Sequence, residues 1–304
     1  MNTNVKKVLD AFISNPYRVK MGAKTQARRL KVSIEDIKKA RILFKQLNKN
    51  SKPKILILDI ETSPMKAWVW NRWKENIYLD QTIQEWFMLS WSGKWLGEEN
   101  TFGDVLTSKE VVEENDYRLL VSLHTILDKA DIVIAHNGNK FDIPKINTRF
   151  ILNGLTPPTP YKQIDTYNIV KKQFGFSTNS LDALATFFNI ENKDPHDFQL
   201  WKACMEGDKE ALSRLFKYNT KDILILEKIY LKLRPWVKNH PNINVITDSI
   251  IPCCTHCGSS NIEREVNSSY STQAFKYSVY RCKECGAIFR SKERLSNKQN
   301  FTSI

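Results

Sequence analysis

An α/β domain with a mixed sheet, flanked by a helical module before it and a cysteine-bearing ribbon after it, is the fold class this 304-residue sequence predicts. Three observations predict it. Between Ile55 and about Val237, the strand-like runs ILILDI, MKAWVW, EWFMLSW and DIVIAH mix with helical patterns. Residues 1–50 show helical periodicity alone. Five of the six cysteines fall between positions 253 and 285.

The first segment reads as helices at VKKVLDAFI, KTQARRL and SIEDIKKARILFKQL. Ser33 suits an N-cap, with acidic Glu35 and Asp36 in the first turn. The break at Lys31–Val32–Ser33 resembles a helix-turn-helix, whose second helix would carry Lys38, Lys39 and Arg41 toward nucleic acid; a plain helical hairpin is the competing reading. The polar NKNSKPK (48–54) reads as a linker, and the helical module is bounded at 1–50. In the domain that follows, 54–240, the expected helices are VVEENDYRLLVSLHTILDKA, FDIPKINTRFILNG, SLDALATFFNI and DKEALSRLFKYNTKDILILEKIYLKL. The ribbon is placed at 250–295 and a polar, disordered tail at 296–304.

Charge follows the same division. The net charge is +13, but residues 1–54 hold 15 Lys/Arg against 3 Asp/Glu, residues 250–304 hold 8 against 4, and the middle carries 23 against 26. Basic ends around a mildly acidic centre suit termini that hold a polyanion and a centre that gathers carboxylates around cations. No apolar run approaches the roughly 18–20 residues of a membrane span, and the start MNTNVKKVLD lacks an apolar signal region, so a cytoplasmic location is expected.

Three acidic motifs stand out in the central segment. Asp59 and Glu61, two apart at the end of a strand, project to one face, where two acids repel unless a cation lies between them. Asp142 sits where the strand DIVIA passes through the Gly-containing turn HNGNK into the segment FDIP. Tyr218 and Asp222, four apart on a long helical pattern, share a helix face.

ILDIET, HNGNKFDIP and YNTKD, in this order and spacing, resemble the three exonuclease motifs of the DnaQ-like, or DEDD, superfamily. Tyr rather than His at position 218 resembles the DEDDy branch, and the second motif is similar to that of the proofreading domains of family B DNA polymerases. The resemblance implies a ribonuclease H-like core, a five-stranded mixed sheet with helices on both faces. It implies 3′–5′ hydrolysis of a nucleic-acid strand with two Mg²⁺ or Mn²⁺ ions held by Asp59, Glu61, Asp142 and Asp222, and with Tyr218 orienting the attacking water. It places Thr62 near the terminal nucleotide, and Asn137 and Phe141 against sugar and base; for Phe141 core packing is the alternative. His136 and Asp165 read as structural supports. The substrate implied is a single-stranded 3′ end, DNA ahead of RNA. No polymerase palm fits in the rest of the chain, which implies a stand-alone nuclease or a separate proofreading subunit partnered by a polymerase or another replication or repair protein.

Two further clusters remain. Trp68, Trp70, Trp73, Trp86, Trp91 and Trp95 are dense enough to stack unpaired bases, but packing is the favoured reading. Cys254, Cys257, Cys282 and Cys285 form CxxCG…CxxCG with 24 residues between the pairs, the pattern of four thiolates around one structural Zn²⁺. Basic residues around the second pair would also suit phosphate. The competing function is a nucleic-acid-binding regulator that uses the helix-turn-helix and the ribbon around a non-catalytic core; four clustered acids argue against it.

Overall fold

The computed structural model describes residues 2–15, 18–19, 21–47, 52–73, 76–190, 197–247, 249 and 251–295. The expected tail 296–304 and most of the linker 48–54 lie outside the described residues. Two compact units emerge, one from residues 54–237 and one that joins residues 1–53 to 238–304.

The second of these starts with three helices, α1 (Thr3–Ser14), α2 (Ala23–Leu30) and α3 (Ile34–Leu47). Val5, Val8, Leu9 and Phe12 of α1 close on Ile37, Ala40 and Phe44 of α3. Ser33 and Asp36 cap α3 reciprocally, the Asp36 N–H donating to the Ser33 hydroxyl at 3.0 Å and the Ser33 N–H to the Asp36 carboxylate at 3.2 Å. The turn before α3 has no glycine; Lys31 takes the left-handed conformation instead, at φ 54°.

In the central unit a five-stranded sheet runs in the order β5-β4-β1-β6-β7, from β1 (Ile55–Thr62), β4 (Met88–Trp95), β5 (Thr101–Val105), β6 (Ile132–Ala135) and β7 (Lys162–Asp165). β1 pairs antiparallel with β4 and parallel with β6, which makes the sheet mixed. Helices α4 (Ser108–Val112), α5 (Tyr117–Leu127), α6 (Asp142–Leu152), α7 (Thr166–Gln173), α8 (Leu181–Phe187), α9 (Phe198–Met205) and α10 (Lys209–Leu233) complete it. Strand parity divides β1 between two layers. Leu56, Leu58 and Ile60 join a core with Leu119, Leu123, Ile146 and Phe150 of α5 and α6, while the alternate residues lie on the face covered by α10.

Local pattern and fold differ at three places. MKAWVW is not a core strand: only β2 (Lys66–Ala67) pairs, with β3 (Thr82–Gln84), in a separate two-stranded arm. The favoured packing reading fails for Trp68, Trp70 and Trp73, which are exposed on that arm, whereas Trp91 is buried. The single helix expected over 111–130 breaks into α4 and α5. Glu114 turns left-handed there, and buried Asp116 takes two 2.7 Å bonds from Arg149 of α6 and one of 2.9 Å from the Met88 N–H. A buried ion pair of this kind overrides local helix preference.

The C-terminal part of the other unit holds α11 (Ile243–Ile246) and a three-stranded antiparallel ribbon in the order β10-β9-β8, from β8 (Ile262–Ser271), β9 (Lys276–Cys282) and β10 (Ile288–Arg294).

Candidate active site

The register of the sheet sets the site. Asp59 lies opposite Ser92 and Glu61 opposite Ser90, so both acids share a face with a polar row on β4. A bulge between Glu61 and Thr62 ends the regular pairing at the second acid, the kind of irregularity that re-aims side chains. Onto this face α10 brings its own polar row. Ser90 donates to Asn219 at 3.4 Å, Ser92 and Thr220 hydroxyls meet at 3.2 Å, and Lys94 pairs with buried Glu227. This seam fixes the rotation and height of α10, and so places Asp222 over β1. Carboxylate oxygens of Asp59, Glu61 and Asp222 come within 4.8 Å of one another.

Asp142 is brought beside this trio rather than into it. From the first turn of α6, whose amide dipoles favour a carboxylate, it accepts the Ile60 N–H at 3.2 Å. Ile60 separates Asp59 from Glu61, so the fourth acid is tied to the backbone between the first two. Burial pushes its carboxyl up to about 7, against the backbone N–H groups that favour the charged form, and nearby Asp165 adds to the rise. A cation bound beside it would displace that proton and favour the charged form.

The turn that delivers Asp142 is built around Asp165. This carboxylate accepts the Asn137 N–H at 3.0 Å and the Asn139 N–H at 3.2 Å while capping α7 through Asn168. Asn137 is left-handed, at φ 64°, and a Cβ on Gly138 would collide with that of Ala135. His136 bridges the Thr166 hydroxyl and the Asn179 carbonyl, both at 2.9 Å. Both residues therefore support the site from outside it.

Tyr218 is half-buried, edge-on to Trp201 at 6.2 Å between ring centroids. Thr62 is half-buried at the end of β1, and Phe141 is exposed rather than packed in the core. The residue that sequence reasoning missed is Asn219. Fully buried, it donates to Asp59 at 2.6 Å and so holds one oxygen of the central acid. Its signal in the sequence was an amide three residues before Asp222, on the inward face of α10.

Elsewhere, Lys38 and Lys39 are exposed on α3, whereas Arg41 is half-buried and donates to the Met21 carbonyl. Cys254, Cys257, Cys282 and Cys285 converge, with 3.6 Å between the sulfurs of Cys254 and Cys285 and of Cys257 and Cys282. Zn–S bonds of about 2.3 Å in a tetrahedron require sulfurs about 3.8 Å apart, so four thiolates here fit that ion.

A family model described as RNase_H superfamily matches residues 92–234. It spans the second half of β4 through α10, so Asp142, Tyr218 and Asp222 lie inside it, while Asp59 and Glu61 precede it. No curated protein matches the chain. With the mixed five-stranded sheet, the match gives the central unit a ribonuclease H-like fold and points to nuclease-type chemistry on a nucleic acid. No helix among the described residues is long and apolar enough to cross a membrane.

Proposed function

We propose that the protein is a metal-dependent 3′–5′ exonuclease acting on DNA or RNA strands with two Mg²⁺ or Mn²⁺ ions. The observation that carries this reading is the convergence of Asp59, Glu61 and Asp222 within 4.8 Å, with Asp142 hydrogen-bonded to the backbone between the first two. Hard oxygen donors of this charge suit hard dications. Held by these acids, the ions would supply positive charge to the attacking and leaving oxygens of the phosphodiester.

The protein's own groups do the rest. Asn219 holds Asp59 in one orientation, and the Ile60 amide does the same for Asp142. Tyr218 stands one helical turn before Asp222, where its phenol can orient the attacking water by hydrogen bonding. Phe141 offers an exposed ring to the terminal base, with Thr62 and Asn137 as further strand contacts. Lys38 and Lys39 of the 1–50 module hold phosphate, and the 250–295 segment is a zinc ribbon organised by one structural Zn²⁺ on its four cysteines. A polymerase or other replication or repair protein is the partner that fits such an enzyme.

With Mg²⁺, 5′-labelled single strands should yield a ladder shortened from the 3′ end, abolished by Asp222→Ala in a variant that keeps its circular dichroism. Internal cuts would indicate an endonuclease, and strand binding without cleavage in the wild type would indicate the regulator.

A further inference from the structure

Between β1 and β4 the chain leaves the sheet as the β2–β3 arm. At its base the Ser63 N–H donates to the Phe87 carbonyl at 2.8 Å and the Phe87 N–H to the Ser63 hydroxyl at 2.9 Å. Farther out, the Trp68 N–H donates to the Gln81 carbonyl at 2.9 Å. The backbone is thus held on both sides of the hairpin, yet the indoles point outward. Trp68, Trp70 and Trp73 are 75%, 88% and 84% exposed. Burying an aromatic ring of this size covers about 150–250 Å² of surface, so three largely exposed indoles within six residues of one arm mark a surface built for a flat partner.

What that partner is follows from the foot of the arm. Trp86, next to Phe87, lies under the Lys145 ammonium, 3.6 Å from the ring centroid. The same ammonium is 5.3 Å from the ring of Phe141. Phe141 immediately precedes Asp142, and Lys145 lies on the first turn of α6. Aromatic rings interleaved with a cation therefore lead from the candidate active site to the base of the arm, and the arm continues the series with three more rings. Rings that meet base faces and a cation that meets phosphate are the composition of single-strand platforms. A duplex keeps its bases stacked on each other and offers them none.

We infer that the arm is a stacking platform for the unpaired strand on the 5′ side of the terminus, and that it selects single strands over duplex ends. The direction of the strand rests on the exonuclease reading; the binding of unpaired bases does not.

The test is titration of the full-length protein, in chelator, with an oligothymidylate of about a dozen nucleotides, followed by tryptophan fluorescence. The wild type should be quenched on binding. The triple variant Trp68→Ala/Trp70→Ala/Trp73→Ala should bind about 100-fold more weakly, and the corresponding triple Phe variant should recover most of the loss. With Mg²⁺ the defect should grow with substrate length, from under about threefold on a dinucleotide to the full loss on the longer strand. Equal binding by wild type and the Ala variant overturns the platform. So does a wild-type dimer that the Ala variant dissolves with strand binding intact, which would make the indoles a self-association surface. A wild type that binds strands in chelator but never shortens them with Mg²⁺ sinks the exonuclease reading and leaves the platform standing.

Discussion

Replacing Asn219 by Leu separates carboxylates positioned by the protein from carboxylates positioned only by their ions. Asn219 is fully buried between α10 and the sheet, 2.6 Å from Asp59 Oδ2 through its amide nitrogen. Its other contact, 3.4 Å to the Ser90 hydroxyl, is at the weak end of hydrogen bonding. Leu keeps the branched outline but is bulkier, so a denaturation control separates overpacking from the lost donor. A hydrogen bond to a charged group contributes about 1.5–3 kcal/mol. At about 1.4 kcal/mol per tenfold, removing it should weaken productive metal binding by about 10- to 150-fold. That agrees with the roughly 10- to 100-fold effects of groups that orient metal-ligating carboxylates. The assay is the rate of strand shortening against Mg²⁺ concentration, with thermal denaturation in chelator to confirm folding. The activation midpoint should rise by that factor, with much of the rate recovered at saturating metal. A folded variant with an unchanged midpoint refutes the positioning role.

Three other perturbations probe the fold and the four-cysteine cluster. Lys94→Met strands the buried Glu227 carboxylate, which also accepts the Gly97 N–H at 2.9 Å. The loss should be about 3–5 kcal/mol, or about 6–20 °C in Tm, and Lys94→Met/Glu227→Leu should restore most of it; a single variant melting within about 2 °C of wild type would contradict this. In chelator, the raised Asp142 pKa of about 7 means the native state keeps a proton that the unfolded chain has released above its ordinary pKa of about 3.9. Stability should therefore fall as pH rises from about 4 to about 7 and level off above, and Asp142→Asn should flatten that slope in denaturant titrations; a slope that survives the substitution belongs to another group. Elemental analysis should find one zinc per chain, lost in Cys254→Ser together with the ribbon's protection from proteolysis, and a metal-free wild type would exclude the centre.

What could be read from neighbouring residues was read from the amino acids alone. Period-two parity put Asp59 and Glu61 on one face of β1, a spacing of four aligned Tyr218 with Asp222, and the CxxCG pairs announced a thiolate cluster. The long apolar periodicity of α10 and the run ILIL of β1 are visible because core faces demand such patterns over many residues. The short strands β5, TFGDV, and β7, KQID, carry no comparable pattern, and their places come from pairing with β4 and β6. Tertiary closure also decided which acids meet: Asp222 reaches Asp59 because the Ser90–Asn219, Ser92–Thr220 and Lys94–Glu227 contacts lock α10 across the sheet. It alone set Asn219 beneath Asp59, broke the helix at Asp116, turned three indoles outward and gathered the two ends of the chain into one unit. Local stereochemistry constrains a residue through its near neighbours in sequence, whereas buried polar partners are chosen only when distant faces close and each group must find a bond.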